Sequence, residues 1–384
     1  MDVYLDNAST TFPKPKIVAD SIYDYLINIG GNANRSNYSN SLESNRQLLL
    51  ARERISQFFN YDKCENVIFT NNITTSLNLL IKGLLKSGDH VISSSMEHNS
   101  VLRPLIDCKE ILNIELDIIQ ASTEGFIDPN DIKGKVKSNT RAVIISHASN
   151  VTGSIQNLKL IGEICREFDV FFIIDTAQTA GVIDIDMKSL KADAIAFTGH
   201  KSLLGPQGVG GFIIDDKLND SCSSILSGGT GSLSHSLYQP TFLPDKFECG
   251  TLNMPGIIGL SNAINYINII GRNTIEDKNK LLRGILLNGM LNIDGITVYG
   301  DTNNNNSTTC ISFNYKDIDP SETSFYLDSN GIKNRAGLHC APLAHKSIHT
   351  FPTGTVRLSI GFFNTKEEID YTLTVLNKIG KNLI

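Results

Sequence analysis

Between about Asn66 and Asp216 the chain alternates short apolar runs with stretches of helical spacing. Val67-Ile68-Phe69-Thr70, His90–Ser94, Ile114–Ile119, Arg141–Ser146, Val170–Ile174, Ala194–Phe197 and Val209–Ile214 read as strands, being short and mostly rich in branched or aromatic apolar residues. Ser76 to Leu85 reads as an apolar-rich helix ending before Ser87-Gly88-Asp89, and Leu158–Phe168 carries Leu160, Ile161, Ile164 and Phe168 at helical spacing. Strands separated by helix-length segments need crossover connections, which give a largely parallel sheet covered on both faces. Ligands of such sheets collect at the carboxyl ends of the strands. Thr70, His147, Asp175 and the run Thr198–Lys201 all fall there.

After Gly250 the pattern changes. Helical stretches at Ile257–Ile269 and Thr274–Leu291 precede strands at Ile296–Tyr299 and Thr309–Asn314, then a helix near Glu322–Ser329. The expected fold class is therefore α/β: a large domain with a mainly parallel seven-stranded sheet covered by helices, plus a small α+β C-terminal domain. The boundaries expected are 16–260 for the large domain, with 1–15 and 261–384 forming the small one. The Asn303–Asn306 run reads as a solvated hairpin loop without a function, and no internal repeat is present.

Composition narrows the setting. A chain of 384 residues with 41% hydrophobic and 19% charged positions suits two domains with sizeable cores. A net charge of −6 offers no basic patch for nucleic acid or an anionic membrane. Met1-Asp2-Val3-Tyr4-Leu5-Asp6 lacks the basic and apolar regions of a secretory signal, and no apolar run reaches bilayer length, so a cytoplasmic location is expected. The seven cysteines are scattered without a C-x-x-C pair, which points away from a metal site and from a disulfide framework.

Two strand ends carry the first chemical signal. The apolar run Ala194-Ile195-Ala196-Phe197 delivers Thr198-Gly199-His200-Lys201, and Val170–Ile174 delivers Asp175. A lysine desolvated at such a place becomes a nucleophilic amine. A Schiff-base lysine with an aspartate for a pyridinium nitrogen is what pyridoxal 5'-phosphate (PLP) requires of a protein. Gln178 follows close enough to donate to the ring's phenolic oxygen. Asn72-Ile73-Thr74-Thr75-Ser76 lies between a strand and a helix, so it suits a phosphate at a helix start; a plain N-cap is the simpler alternative. Asn150 is another strand-end amide, with turn chemistry as its alternative. His98 can stack on a planar ring and shuttle protons, or serve structure alone. Cys340, in Arg335-Ala336-Gly337-Leu338-His339-Cys340-Ala341, is a thiol flanked by cations that favour its thiolate; a buried packing cysteine is the plain reading. Arg357 sits in an apolar strand and needs a partner, either a substrate carboxylate or a structural acid.

Assembled, these residues resemble the class V aminotransferase group of fold-type I PLP enzymes, and within it the cysteine desulfurase/selenocysteine lyase branch of the SufS-like kind. The resemblance runs along the whole chain, through Tyr4–Thr11, Glu97-His98-Asn99, Ser149–Gly153, Asp175–Gln178, Thr198–Lys201, Phe247–Asn253, Arg335–Ala341 and Arg357. It implies Lys201 as the Schiff-base lysine, Asp175 on the ring nitrogen, Gln178 on the phenolic oxygen and His98 stacked on the ring. It implies Thr74, Thr198 and His200 as phosphate ligands, with the amide of Ile73 beside them, and Thr251 reaching the phosphate of a neighbouring subunit in a homodimer. Asn150 and Arg357 match ligands of the substrate carboxylate, and Cys340 matches the sulfur-accepting cysteine. The reaction implied converts L-cysteine to L-alanine and leaves a persulfide on Cys340 for an acceptor protein. Rival readings are a selenocysteine lyase, an aminotransferase for another small amino acid, and a non-catalytic sulfur-relay scaffold. Three positions depart from the pattern: Leu338 replaces a second loop histidine, Thr176 replaces a glycine or alanine, and Asn72-Ile73 is an apolar version of Gly-Thr.

Overall fold

The computed structural model describes residues 1–33, 38–304 and 306–382, so Asn305 of the expected loop lies outside the described residues. A seven-stranded sheet dominates, in the order Val67–Thr70, Gly210–Ile214, Ala194–Thr198, Phe171–Asp175, Thr140–Ser146, His90–Ser94 and Glu115–Ile119. Gly210–Ile214 runs antiparallel to both of its neighbours, and the remaining pairs are parallel. Only this step escapes a crossover. The segment between Thr198 and Gly210 is too short for the dozen or more residues a crossover takes, and it turns back as a loop holding Lys201. The four strands beginning at His90, Phe171, Ala194 and Gly210 are buried along their whole length, as expected where both faces are covered.

Two apolar clusters cover the two faces. One contains Ile92, Val143, Phe172, Ile195 and Phe197 with the helices Ser39–Phe58 and Met254–Ile270; the other contains Val91, Ala142, Ile173, Ala196 and Phe212 with the helices Ile73–Leu84 and Asn99–Leu112. Alternate residues of each strand thus point to opposite layers. The helix expected from Ser76 starts at Ile73, because the side chain of Asn72 accepts Thr75 N–H at 2.9 Å and caps it there. Ser39–Phe58 escapes a reading by periodicity because its first two turns are largely polar and exposed, with Ser41 and Ser44 as its buried positions there. Asn99–Leu112 escapes it because Pro104 interrupts the pattern.

The C-terminal part forms a four-stranded antiparallel sheet in the order Arg335–Gly337, Thr355–Ser359, Cys310–Tyr315, Ile296–Tyr299. Its cluster gathers Leu286, Phe313, Val356, Leu358 and Leu376, and takes in Val3 and Leu5 from the other end of the chain. Val3–Tyr4 pairs in parallel with Ile332–Lys333. The first residues are thereby pulled between the C-terminal layer and the large sheet.

A buried ion pair fastens the edge of that sheet. Arg52 in Ser39–Phe58 meets Glu248 at 2.5 Å with both side chains almost inaccessible, and Glu248 also accepts Phe69 N–H at 2.7 Å. Breaking one half of such a pair strands the other charge. Glu248→Ala is expected to cost roughly 3–5 kcal/mol of stability in urea unfolding; a loss below about 1 kcal/mol would show the pair to be idle.

Candidate active site

The carboxyl ends of the central strands open into a cavity of about 240 Å³. Ile73, Thr74, His98, Asn150, Asp175, Gln178, Thr198, His200, Lys201 and Arg357 all line it, together with Ala8, Ser9 and Arg335. Nearly every site residue read from the sequence therefore meets in one place. Thr251 and Cys340 do not line it. Thr251 is exposed and borders two other recesses, one beside Thr70 and Thr75 and one beside Thr230 and Asp245. Cys340 is exposed too, at the cavity's rim beside Arg335.

Lys201 and Asp175 face each other because their strands are neighbours, with Asp175 in register with Ala196. Burial pushes the Lys201 amine down from its ordinary pKa, while the Asp175 carboxylate works the other way. Burial likewise pushes Asp175 up, against the pull of Ala177 N–H, which donates to it at 2.8 Å, and of Lys201. Each charge is costly in this setting without the other or a substitute for it.

Around them stand polar atoms without partners. Asn150 Oδ1, Thr198 Oγ1, His200 Nδ1 and Arg357 Nε are buried and make no hydrogen bond. Buried polar groups are normally satisfied, and these four line a single cavity. The first turn of Ile73–Leu84 adds the amides of Ile73 and Thr74, because the Asn72 cap occupies Thr75 N–H. The N-cap of this segment is thus Asn72, and Thr74 lines the cavity.

His98 caps Asn99–Leu112: its Nδ1 accepts Ser100 N–H at 3.0 Å and meets the Ser100 hydroxyl at 2.9 Å. This fixes the ring plane. Burial, then the charges of Lys201, Arg335 and Arg357, push its pKa down to about 4. Burial and those charges favour the neutral ring over the near-neutral titration expected from sequence, and the ring lines the cavity. Glu97 beside it had no role assigned from sequence. Its carboxylate takes Ser146 N–H at 2.8 Å, the Ser146 hydroxyl at 2.6 Å and the Ser94 hydroxyl at 2.6 Å, tying together two strand ends at the cavity floor.

Arg357 is 1% exposed. Its guanidinium donates to Asp6 Oδ1 and Ser9 Oγ at 2.9 Å each and to the Asn150 carbonyl at 2.9 Å. Arg335 donates to the Ser9 hydroxyl at 3.2 Å and to Cys340 Sγ at 3.7 Å. Asp6 and Ser9 had no assigned role from sequence, since nothing local to Asp6 announces a partner 351 positions away.

The Cys340 loop is held in a costly shape. His339 and Cys340 have φ of +49° and +59°, a conformation that costs a non-glycine residue roughly 1–2 kcal/mol. Three contacts hold it there: Asn150 Nδ2 on the His339 carbonyl at 2.7 Å, Asn99 N–H on the Cys340 carbonyl at 2.8 Å, and His339 Nε2 at 3.1 Å from the Thr355 carbonyl. A Cβ on Gly354 would sit 2.3 Å from the backbone of Gly337, so the loop and its neighbouring turn touch through glycine.

The sequence model of the family described as "Aminotransferase class-V" matches residues 3–372. A probable cysteine desulfurase of Methanothermobacter thermautotrophicus is 36% identical over 98% of this chain and 94% of its own length. One of Pyrococcus abyssi is 32% identical over 99% and 95%. The apo structure of cysteine desulfurase from Thermococcus onnurineus NA1 superposes with a TM-score of 0.94 at 32% identity, covering 99% of this chain and 95% of that one. The cysteine desulfurase CsdA (S-sulfonic acid) of Escherichia coli gives 0.90 at 25% identity, over 100% and 95%.

Exposure separates the thiols by reactivity. Cys340 is exposed, whereas Cys108, Cys165, Cys222 and Cys310 are buried, and burial pushes the Cys222 thiol up to about 12 and the Cys165 thiol up as well. Under limiting iodoacetamide, peptide mass spectrometry is expected to find Cys340 alkylated before any of these four. Labelling of Cys222 at an equal rate would contradict the geometry.

Proposed function

The chain belongs to the aminotransferase class-V family, and from that premise we propose that it is a PLP-dependent cysteine desulfurase. In this reading L-cysteine becomes L-alanine and its sulfur passes to Cys340 as a persulfide. The observation that carries the reading is the meeting of a desolvated Lys201, Asp175 and two arginines in one cavity, with an exposed thiol fastened to its rim by Arg335.

The cavity suits PLP by its unpartnered atoms. His200 Nδ1 and Thr198 Oγ1 are buried without partners beside the free amides of Ile73 and Thr74, a donor set for a phosphate at a helix N-terminus. Thr198, His200, Thr74 and Ile73 would hold the phosphate, and Gln178 would reach the phenolic oxygen. His98, its ring plane fixed by Ser100, would pack on one face. Asp175 would hold a proton on the ring nitrogen, which gives its buried carboxylate the cation it lacks. When bound, PLP supplies a carbonyl carbon for amines and an electron-accepting ring.

The chain's own residues then divide the work. Lys201 Nζ, whose charged form burial disfavours, would hold the cofactor at rest and would then take the proton from the substrate Cα. Asn150 and Arg357 orient the substrate carboxylate, Arg357 through the Nε–H that Asp6 and Ser9 leave free. The thiolate of Cys340 attacks the substrate sulfur: an S–S bond forms, the C–S bond breaks, and the electron pair leaves with the carbon fragment, which is protonated to alanine. Arg335 beside Sγ stabilises the attacking anion.

The same reading carries a homodimer. Thr251 is exposed, and the nearby segment presents Leu226, Leu237, Tyr238 and Phe242 to solvent, as a face covered by a second copy would. It also carries a division into a large unit and a small one that joins residues 1–15 to the C-terminal sheet, as the cluster of Val3 and Leu5 with that sheet supports. The boundary expected at 260 falls inside the helix Met254–Ile270, whose Ala263, Ile264 and Ile267 pack with the large sheet, so the division lies after that helix. A reducing, cytoplasmic setting fits seven free cysteines; the acceptor would be a protein able to reach the exposed thiol.

Purified protein supplied with PLP is expected to show a visible absorption band that Lys201→Ala abolishes; a band retained by that variant removes Lys201 from its role. Cys340→Ser is expected to lower alanine formation from cysteine at least about a hundredfold, and undiminished turnover would end the persulfide mechanism. Arg357→Leu is expected to raise KM for cysteine about tenfold or more, the worth of one charge-assisted hydrogen bond. Running selenocysteine beside cysteine decides between desulfurase and selenocysteine lyase, and added α-keto acids test for transamination.

A further inference from the structure

The peptide joining His200 to Lys201 is gripped from the far end of the chain. The His200 carbonyl receives Thr11 N–H at 3.0 Å, the Thr10 hydroxyl at 3.1 Å and Lys14 Nζ at 2.7 Å. The Thr11 hydroxyl donates to the Lys201 carbonyl at 3.0 Å, and Lys14 Nζ donates in turn to that hydroxyl. The Thr11 hydroxyl also lies 3.3 Å from the His200 carbonyl, and a carbonyl oxygen offers two lone pairs, so the donors gathered on His200 exceed its ordinary demand. Lys14 therefore reaches both carbonyls, one directly and one through Thr11.

Resting on the reading of Lys201 as the cofactor lysine, we infer that Lys14 is a positioning residue that clamps the His200–Lys201 peptide and so aims the Lys201 amine. Three observations support it. Lys14 makes no ion pair among the described residues, and burial pushes its pKa down to about 7. A solvated surface lysine would escape that penalty, whereas this one is held inside with a backbone carbonyl as partner. The clamp also belongs to the segment that holds the arginines: Asp6 and Ser9 bind Arg357, and Ser9 binds Arg335. Four residues separate Ser9 from Lys14, so one short stretch sets Lys201 against both guanidinium groups. Lastly, Lys14 does not line the cavity, so its effect on the cofactor runs through Lys201 and His200 rather than by contact.

The test compares Lys14→Met, Lys14→Arg and Thr10→Val with the unaltered protein. After rapid mixing with PLP, borohydride quenching and peptide mass spectrometry give the rate of covalent attachment at Lys201, and a pH titration of the visible band gives its midpoint. Lys14→Met is expected to bind PLP to full stoichiometry yet attach it about tenfold more slowly, the worth of one charged-donor hydrogen bond. Its band midpoint is expected to shift, because the released Lys201 side chain changes its setting between Asp175 and the arginines. Lys14→Arg recovers most of the rate, and Thr10→Val slows attachment severalfold. Should Lys14→Met fail to fold, slowed attachment in Thr10→Val carries the same conclusion. Unchanged rate and midpoint in the folded variants overturn the clamp, whatever happens to their melting temperatures. Absence of any adduct at Lys201 in the unaltered protein overturns the cofactor reading itself, and the clamp with it.

Discussion

Desolvation of Lys201 beside Asp175 is the constraint on which the site depends. Parallel pairing sets Asp175 level with Ala196, so two adjacent strands end together and present an amine and a carboxylate at one depth. Burial disfavours the charged form of each. That arrangement is unfavourable for a resting fold and would serve the proposed chemistry: an amine whose charge is disfavoured is readier to act as base and nucleophile, and a buried carboxylate would favour a cationic ring nitrogen beside it. The covered faces of the sheet make it possible, because only a doubly buried strand excludes water from its final residue.

The stability spent there is offset at a distance. The strands end in a cavity, but their ends are tied by the Glu97 carboxylate to Ser94 and Ser146. The edge strand Val67–Thr70 is fastened through Glu248 and Arg52. These buried acids have their hydrogen bonds made, in contrast to the unpartnered atoms that line the cavity. Satisfied polar groups mark the scaffold of this protein, and unsatisfied ones mark the place where a ligand completes it.

A second layer supplies the arginines and the thiol. Asp6 to Lys14 crosses between the C-terminal sheet and the Lys201 loop, bonding Arg357, Arg335, His200 and Lys201 along the way. The Cys340 loop is pinned in a left-handed turn by Asn150 and by Asn99 at the start of the helix Asn99–Leu112, both belonging to the large sheet's layer. The thiol is thus registered against the cavity by contacts that cross from one sheet to the other, and movement of either layer alone would change its distance from Lys201.

Local pattern was enough for much of this. Alternating apolar runs gave the seven strands, with His90–Ser94 found at its observed bounds, as was Ile296–Tyr299 of the second sheet. Strand ends gave Asp175 and Lys201, and short motifs gave Thr74, His98, Asn150, Gln178, Arg357 and Cys340. Ser39–Phe58 and Asn99–Leu112 stayed hidden, since a polar opening and an internal proline mask helical periodicity. So did the Asp6–Arg357 pair and the hold of Lys14 on His200, because hydrogen bonds between residues far apart in the chain leave no periodic trace. The sequence by itself determined which chemical groups this protein owns and which strand ends bear them. Only the tertiary structure decided how they are aimed, since aim depends on distances closed by folding, and local spacing carries no information about those.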